Sequence, residues 1–454
     1  MYKRPIRCGW TFSFALAALL SASTVRALED PAVRVQKIIL DNGLTVLTLE
    51  DPSTPVVSFQ MWVRVGSRDE ARYTGLAHLF EHMMFKGSKH VPPERHAQWI
   101  EARGGQTNAF TTRDETVYYE DVTPEALPLV IDLEAERVAH LDISKKTLAS
   151  EREVVLEERR LRFEDDPEGR AFEAIMSLAF QAHPYRWPVI GWRSDVEAVG
   201  VETCREFFST YYSPNNLVLS VAGNFDAQAA LARIRSRFGD LEPAAAVPRN
   251  PTREPEQEGE RRAVVYDHVR SPILVVAWHA PAAGHVDAEA LDVAGQILSV
   301  GRSSRLYRRL VYEDQVALFA SGGYWEMQQA GLFYTFVGVR PTAALDAVET
   351  SLLQEIERLI VAMPSAAEVE KAKRQLEVGL VSGLRTSHAL ASRIAGDYIT
   401  FGRVRSLDER LEAIRAVTPE KVQQVARRYL VPARRNSVRL LTAPEAGGTA
   451  GGGA

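Results

Sequence analysis

One short segment of the chain contains residues whose types and spacing suit metal-assisted hydrolysis. In residues 76–87 the pattern His78-x-x-Glu81-His82 lies in a run without glycine or proline up to residue 86, which predicts a helix. On a helix the two histidines are i and i+4, so both imidazoles can bind one zinc ion. Glu81 lies beside that face, where it can act as general base on a zinc-bound water. Two surface histidines with a solvated glutamate are the alternative.

A catalytic zinc ion also needs a third protein ligand and an open coordination position. The acidic segment 150–160 is predicted to be helical, and Glu151 and Glu158 are seven residues apart, within about 20° of one helix face. Glu157 points about 100° away and should be solvated. Apolar residues lie between them on that face, so the face should be partly buried. A partly buried carboxylate needs a partner, and a metal ion can be that partner. We therefore expect Glu158 to be the third ligand and Glu151 to orient the site; a solvated charged face is the alternative.

The elements that must position these residues occur twice along the chain. A proline-led apolar strand begins at Pro55 and again at Pro272, 217 positions later. A helix followed by a β-rich strand begins at Val201 and again at Val417, 216 positions later. Two matches at nearly the same offset predict two homologous α+β domains.

The domain organisation follows from these matches and from local composition. We predict a signal peptide at 1–27, an N-terminal catalytic zinc domain at 28–240, a linker at 241–262, a homologous C-terminal domain without zinc at 263–443 and a flexible glycine-rich tail at 444–454. The linker contains four prolines among charged residues, which favours an extended chain. It can be a hinge between two half-shells or a passive spacer.

The first residues have the order of a secretory signal peptide. Basic residues precede a short apolar run and a small-residue site, and the run is shorter than the ~20 apolar residues of a membrane span. We expect cleavage after Ala27, with cleavage after Ser23 or an uncleaved anchor as alternatives. The mature protein is then periplasmic or secreted and has no membrane span.

The charge of the chain excludes one class of partner. The 454 residues carry a net charge of −5, and removal of segment 1–27, with four basic and no acidic residues, leaves −9. No long basic run occurs, so nucleic acid is excluded as a partner.

With these residues in view, the sequence resembles the pitrilysin/insulinase family, the inverzincins, whose signature is His-x-x-Glu-His. It is most similar to small bacterial members and to mitochondrial processing peptidase β-subunits. The resemblance implies two homologous α/β-roll domains, each an antiparallel-rich sheet packed with helices, which form half of a clam-shell chamber. It implies one Zn²⁺ per chain, bound by His78, His82 and Glu158. The distance of 76 positions from His82 selects Glu158 over Glu157, and Glu151 matches the family's acid seven residues before the ligand.

The resemblance also implies a substrate-binding strand. The family's Asn-Ala-x-Thr segment corresponds to Asn108, Ala109, Phe110 and Thr111, where a sheet edge is expected to pair with the substrate backbone. Two further family segments, 116–118 and 183–185, are expected to be structural.

The second half departs from the family pattern of a self-sufficient enzyme. The offset of 217 sets the zinc motif against Gly295, Leu298 and Ser299, so this domain has lost the metal. Active members usually carry an arginine and a tyrosine seven residues apart in this half, which hold substrate and stabilise the oxyanion. Those positions here are Val311 and Leu318.

Arg309 and Tyr312 lie nearby but have the wrong order and spacing. The resemblance therefore implies a homologous subunit that lacks the zinc motif and supplies the Arg/Tyr pair, in a heterodimer; a homodimer remains the alternative. The predicted function is an exported zinc metallo-endopeptidase acting on short or unfolded peptides. The rival prediction is a non-catalytic structural or assembly subunit of the same fold.

Overall fold

The computed structural model describes residues 30–443, so the predicted signal peptide and tail lie outside the described residues. The strands are β1 Gln36–Ile39, β2 Thr45–Glu50, β3 Val57–Val63, β4 Gln106–Thr111, β5 Thr116–Val122, β6 Leu217–Gly223, β7 Arg261–Asp267, β8 Ile273–Ala280, β9 Ala317–Trp325, β10 Gly331–Val339 and β11 Arg435–Thr442. The α-helices are α1 Pro31–Arg34, α2 Leu76–Met83, α3 Arg95–Glu101, α4 Leu127–His140, α5 Lys145–Arg159, α6 Pro167–Ala179, α7 Arg193–Ala198, α8 Val201–Tyr211, α9 Ala227–Phe238, α10 Ala288–Leu298, α11 Leu345–Val361, α12 Ala366–Ser382, α13 Ser387–Phe401, α14 Leu407–Arg415 and α15 Pro419–Tyr429. In this part of the chain no helix has the length and apolar character needed to cross a membrane.

The strands form two sheets with the same topology. The first has the order β1-β2-β6-β3-β5-β4 and the second the order β7-β11-β8-β10-β9. Neighbouring strands are antiparallel except for one parallel pair in each sheet, β2 with β6 and β7 with β11. Apart from β1, each strand of the first sheet has a counterpart in the second, so the predicted α+β fold with two homologous antiparallel-rich sheets is confirmed.

The central strands are buried on both faces because both faces of each sheet are covered. Every residue of β3 and β6 is buried, as expected for strands between two layers of helices. Several of the covering helices begin at side-chain caps, for example Ser144 before α5, Asp166 before α6 and Thr386 before α13. Such caps satisfy backbone N–H groups that the first helical turn leaves without partners.

Each sheet is covered in part by a helix from the other half of the chain. From the N-terminal half, α6 packs on β8 and β11 through Ile175 and Met176. From the C-terminal half, α13 packs on β3 and β6 through Ala391 and Ile394. The exchange is reciprocal, so each half needs the other to bury its sheet.

The connection between the halves is held against the first half by hydrogen bonds. Residues 241–260 form neither helix nor strand, and β7 begins at Arg261, within the predicted linker. The Glu254 carboxylate accepts hydrogen bonds from the backbone N–H groups of Gln181, Ala182 and His183 at 2.9–3.0 Å. These contacts favour a fixed spacer over a hinge. The domain boundaries themselves stay a prediction.

We expect the two halves to be insoluble or unfolded when produced separately. Residues 28–260 alone would expose the sheet face that α13 covers, and large exposed apolar faces lead to aggregation. Co-expression of residues 28–260 with residues 261–443 should restore a soluble complex, detected by size-exclusion chromatography. A monodisperse, folded N-terminal half on its own would show that the helix exchange is dispensable.

Candidate metal centre

The start of α2, which carries the three motif residues, is held by a buried carboxylate. Glu70 accepts hydrogen bonds from the backbone N–H groups of Gly75 and Ala77, both at 2.8 Å, where a helix leaves such groups unpaired. Gly75 has a φ of 90°, and a Cβ there would lie 2.6 Å from the carbonyl oxygen of Ile190. Only glycine fits this position, so the helix starts at a fixed place against the 190–191 turn.

The structure brings together the three residues expected to bind metal. The ring centres of His78 and His82 are 4.8 Å apart. Glu158, near the end of α5, places its Oε2 atom 3.2 Å from Nε2 of His82 and 3.6 Å from Nε2 of His78. One donor atom from each residue lies within 4.8 Å of the other two. That they bind a metal ion stays a prediction.

The protonation of these side chains fits a zinc ion. Burial, with His82 beside it, lowers the pKa of His78 to about 4, so this imidazole is neutral near pH 7. Its Nε2 atom faces Oε2 of Glu158 at 3.6 Å, so this nitrogen is the one available to a metal ion. The hydrogen bond from His82 lowers the pKa of Glu158 below its usual value. Two imidazoles and an ionised carboxylate are a donor set that zinc accepts.

Glu81 lies between this donor set and the predicted substrate strand. Burial raises the pKa of its carboxyl group above the usual value, and a hydrogen bond from Thr111 partly offsets that rise. The Thr111 hydroxyl donates to Oε2 of Glu81 at 2.6 Å. A carboxylate with a raised pKa accepts a proton more readily, which suits a general base.

The predicted substrate residues lie on the edge strand of the first sheet. Asn108, Ala109, Phe110 and Thr111 all belong to β4, which pairs only with β5 in this sheet. Asn108 and Phe110 are exposed, whereas Ala109 and Thr111 are half-buried. The other side of β4 pairs with no strand of this sheet and can accept an added one; the backbone N–H of Ala109 donates to Oδ1 of Asn108 at 2.8 Å. Thr111 links this edge to Glu81.

Glu151 lies behind the site as expected, with a partner that the sequence did not identify. Its buried carboxylate is 3.9 Å from Nδ1 of His82 and 3.3 Å from Nζ of Lys86. Lys86 also forms an ion pair with Glu94 at 2.7 Å. Because Lys86 is four residues after His82, helical spacing could have indicated it, although α2 ends at Met83.

A second basic residue, Arg162, contacts Glu158 from the solvent-exposed side of the site. Arg162 forms an ion pair with Glu158, its Nη1 atom 2.9 Å from Oε1, and its side chain is largely exposed. It lies in the π-helical turn Arg160–Glu164 that extends α5. The i+4 spacing from Glu158 was a usable signal here too. By contrast Glu157 is exposed and pairs with Arg160, so it lies away from the donor set.

Replacing Lys86 with methionine is expected to weaken zinc binding by about 10- to 100-fold, the usual effect of losing a partner behind a metal ligand. Methionine keeps the length of the side chain but leaves the buried Glu151 carboxylate without its cation. Zinc affinity measured by competition with a chromophoric chelator checks this, with the exposed Lys146→Met as control. Equal affinities in the two variants would show that Lys86 does not support the site.

Of the two segments predicted to be structural, 116–118 makes its contact within the first half and 183–185 joins the two halves. The Tyr118 hydroxyl shares a hydrogen bond with Tyr212 at 2.7 Å inside the first half. The Tyr185 hydroxyl donates to Asp114 at 2.5 Å and accepts from the backbone N–H of Gln329 in the second half at 3.1 Å. Nε2 of His183 lies 2.8 Å from Oε1 of Gln329.

The second half lacks a counterpart of the metal centre among residues 30–443. Its equivalent helix, α10, has Gly295 and Leu298 at the matching positions, followed by Ser299. Val311 is half-buried against the second core, and Leu318 is exposed on β9. Neither side chain can donate a hydrogen bond.

The positions next to these two offer no replacement pair. Arg309 is engaged by Asp314 at 2.8 Å, and the Tyr312 side chain is exposed to solvent.

Comparison with known proteins defines the family. The family model described as "Insulinase (Peptidase family M16)" matches residues 45–192, and that of "Peptidase M16 inactive domain" matches residues 198–376. The chain is 32% identical over 418 residues to the "Uncharacterized zinc protease Rv2782c" of Mycobacterium tuberculosis, covering 89% of this chain and 93% of the relative. It is 27% identical over 410 residues to the "Mitochondrial-processing peptidase subunit beta" of Lentinula edodes, covering 86% of each. The chain therefore belongs to the insulinase family, peptidase family M16.

A solved structure supports the same assignment. The crystal structure of a protease from Helicobacter pylori superposes with a TM-score of 0.87 at 28% identity, covering 90% of this chain and 99% of that one. The resemblance inferred from the motifs is thus confirmed along nearly the whole described chain.

Proposed function

We propose that this chain is an exported zinc metallo-endopeptidase that cleaves short or unfolded peptides inside a closed chamber. The observation that carries the proposal is the hydrogen bond between Glu81 and Thr111. It connects a candidate general base, next to three metal donors, with an open strand edge that can align a peptide. The relatives whose names describe zinc proteases support peptide hydrolysis as the reaction.

His78, His82 and Glu158 would hold the zinc ion. When bound, Zn²⁺ supplies Lewis acidity that polarises the scissile carbonyl and makes water a better nucleophile. The chain's own contribution is to keep the His78 imidazole neutral and the Glu158 carboxylate ionised, and to fix all three side chains on packed helices. Arg162 and Lys86 neutralise the surrounding carboxylates and hold them in place.

Glu81 would accept the proton of the attacking water and return it to the leaving amine. Thr111 holds the carboxylate in position for both transfers. The substrate backbone would pair with β4, and the exposed Asn108 and Phe110 would contact alternate substrate side chains. An enclosed chamber excludes folded proteins, which restricts substrates to short or unfolded peptides.

The proposal includes a homologous partner subunit. Val311 and Leu318 cannot donate hydrogen bonds to a developing oxyanion, so a subunit with the Arg/Tyr pair and without the zinc motif would supply them. Two such chains would close four domains around the chamber; a homodimer is the simpler alternative. The intact donor set argues against the rival function, a non-catalytic assembly subunit.

The test is hydrolysis of a quenched fluorescent unfolded peptide by residues 28–454, with zinc content measured on the same sample. One zinc ion at the site of His78, His82 and Glu158, with slow but measurable hydrolysis, is the expected result for a half-enzyme that needs its partner for full activity. Fast hydrolysis by the chain alone would remove the need for a partner but keep the peptidase. A chain without zinc would contradict the proposed chemistry.

Installing the missing pair offers a sharper check on the partner. The double variant Val311→Arg/Leu318→Tyr is expected to raise kcat/KM of the isolated chain on the order of 100-fold, the size of one oxyanion donor. Arg309→Gln and Tyr312→Phe, which alter neighbouring polar groups, should leave hydrolysis unchanged. The melting temperature must be measured alongside, since Val311 contacts the core. A folded double variant with unchanged kcat/KM would contradict the assignment of these positions.

A further inference from the structure

A second set of metal-binding side chains lies beyond the far end of α2. His90, Glu136 and His140 each offer a donor atom within 4.8 Å of the other two. Nδ1 of His90 is 3.1 Å from both carboxylate oxygens of Glu136. The rings of His90 and His140 have centres 5.6 Å apart and planes at 82°. This set is separate from the site formed by His78, His82 and Glu158.

The geometry of the second set is that of a metal-binding pair of histidines. Glu136 and His140 are i and i+4 on α4, so their side chains leave one helix face together. Two imidazoles that share a zinc ion at about 2 Å have ring centres roughly 5 Å apart. The separation of 5.6 Å here is close to this value, as is the 4.8 Å between the rings at the first site.

The surroundings hold the carboxylate and the loop in place. Glu136 accepts hydrogen bonds from the Ser88 hydroxyl at 2.8 Å and from the backbone N–H of His90 at 2.9 Å. The loop that carries His90 is fixed to the end of α4, because the backbone N–H of Lys89 donates to the carbonyl of His140 at 3.0 Å. Both histidines are exposed, so an ion can reach them from solvent.

A third group of similar composition shows what distinguishes a metal site from an ion-pair network. His96, Glu120 and Glu134 are also close together but fully buried. The Arg137 guanidinium lies between the carboxylates, 3.4 Å from Glu120 and paired with Glu134. A positive charge therefore already lies within that group. Within residues 30–443, Glu136 is bonded to Ser88 and His90 and to no arginine or lysine, so its set is open to a cation.

We propose that His90, Glu136 and His140 form a second binding site, for a divalent transition-metal ion such as Zn²⁺. Imidazole and carboxylate donors favour such ions over Mg²⁺ or Ca²⁺. Bound there, the ion fastens the loop following α2 to the end of α4 and so stabilises the segment that contains Lys86. This site does not depend on the proposed peptidase function.

Titration of the metal-free chain with Zn²⁺ alone tests the site by calorimetry. The unaltered chain should bind two equivalents, and the His90→Gln/His140→Gln variant should bind one and hydrolyse peptide as before. The His78→Gln/His82→Gln variant should also retain one equivalent, and exposed His268→Gln should retain two. If His90→Gln/His140→Gln binds as many equivalents as the unaltered chain, the second site is overturned. If His78→Gln/His82→Gln still binds two equivalents while His90→Gln/His140→Gln binds one, the first site is wrong and the second stands.

Thermal unfolding gives a readout independent of stoichiometry. In the His78→Gln/His82→Gln background, added Zn²⁺ should raise the unfolding midpoint by several degrees, because an ion that binds only the folded chain stabilises it. A further Glu136→Gln substitution should abolish that rise. A rise that persists in the Glu136→Gln variant would contradict the proposed ligand set.

Discussion

Replacing Glu81 with glutamine is expected to abolish peptide hydrolysis while zinc content stays at one ion per chain at the first site. Glutamine has the same shape and can still accept the hydrogen bond from Thr111, but its amide cannot take a proton from water. General base catalysis contributes about 10²- to 10⁴-fold, so turnover should fall to or below the detection limit. Hydrolysis of a fluorogenic peptide and metal analysis of one sample measure both quantities.

The matched control for this prediction is Glu157→Gln. Glu157 undergoes the same chemical change on the neighbouring helix but is exposed and paired with Arg160. It should retain full activity. Unchanged turnover in Glu81→Gln would remove Glu81 from the mechanism and leave a metal site without its base.

Replacing Glu158 with glutamine is expected to lower zinc affinity by more than about 100-fold, beyond the usual effect of losing a supporting residue. The carboxylate contacts both histidines and is kept ionised by the hydrogen bond from His82. A neutral amide removes the only negative charge among the three donors. Competition with a chromophoric chelator measures the affinity, and peptide hydrolysis should fall in parallel at limiting zinc.

Two comparisons make the Glu158 result specific. Glu157→Gln should leave the zinc affinity unchanged, because that side chain points away from the donor set. Glu151→Gln should weaken zinc binding less than Glu158→Gln. Glu151 is 3.9 Å from His82 and would act on this ligand rather than on the ion. The reverse order of the two effects would make Glu151 the ligand.

Helical spacing predicted that His78 and His82 share a face of α2, and the family resemblance selected Glu158 as their neighbour; that the three bind a metal ion stays a prediction. His78 and His82 lie on one turn of α2, and the predicted ligand Glu158 lies beside both. The sequence could not show what fixes α2, since the capping residue Glu70 acts through backbone groups. Arg162 and Lys86 had the right spacing, but basic residues near glutamates are common on solvated helices.

The arrangement of the two halves was only partly predictable. The repeated strand pattern predicted two similar sheets, and the structure contains them. The exchange of α6 and α13 was not predictable, because an amphipathic helix does not indicate in its periodicity which sheet it will cover. The proline-rich connection suggested a hinge equally with a spacer. The hydrogen bonds of Glu254 with residues 181–183 favour a fixed spacer.

Interlocked halves affect how a peptide would enter the chamber. If each chain moves as one unit, the proposed chamber would open between two chains rather than within one. That would agree with a second half whose matching positions hold neither metal donors nor an Arg/Tyr pair, and with the proposed partner subunit.

The most direct test of the central claim is diffraction at the zinc edge from crystals of the Glu81→Gln variant with a bound peptide. The account predicts an anomalous peak bounded by His78, His82 and Glu158, and a peptide extended along β4 beside Thr111. A chain with no zinc among these three residues, or a peptide bound away from β4, would contradict it.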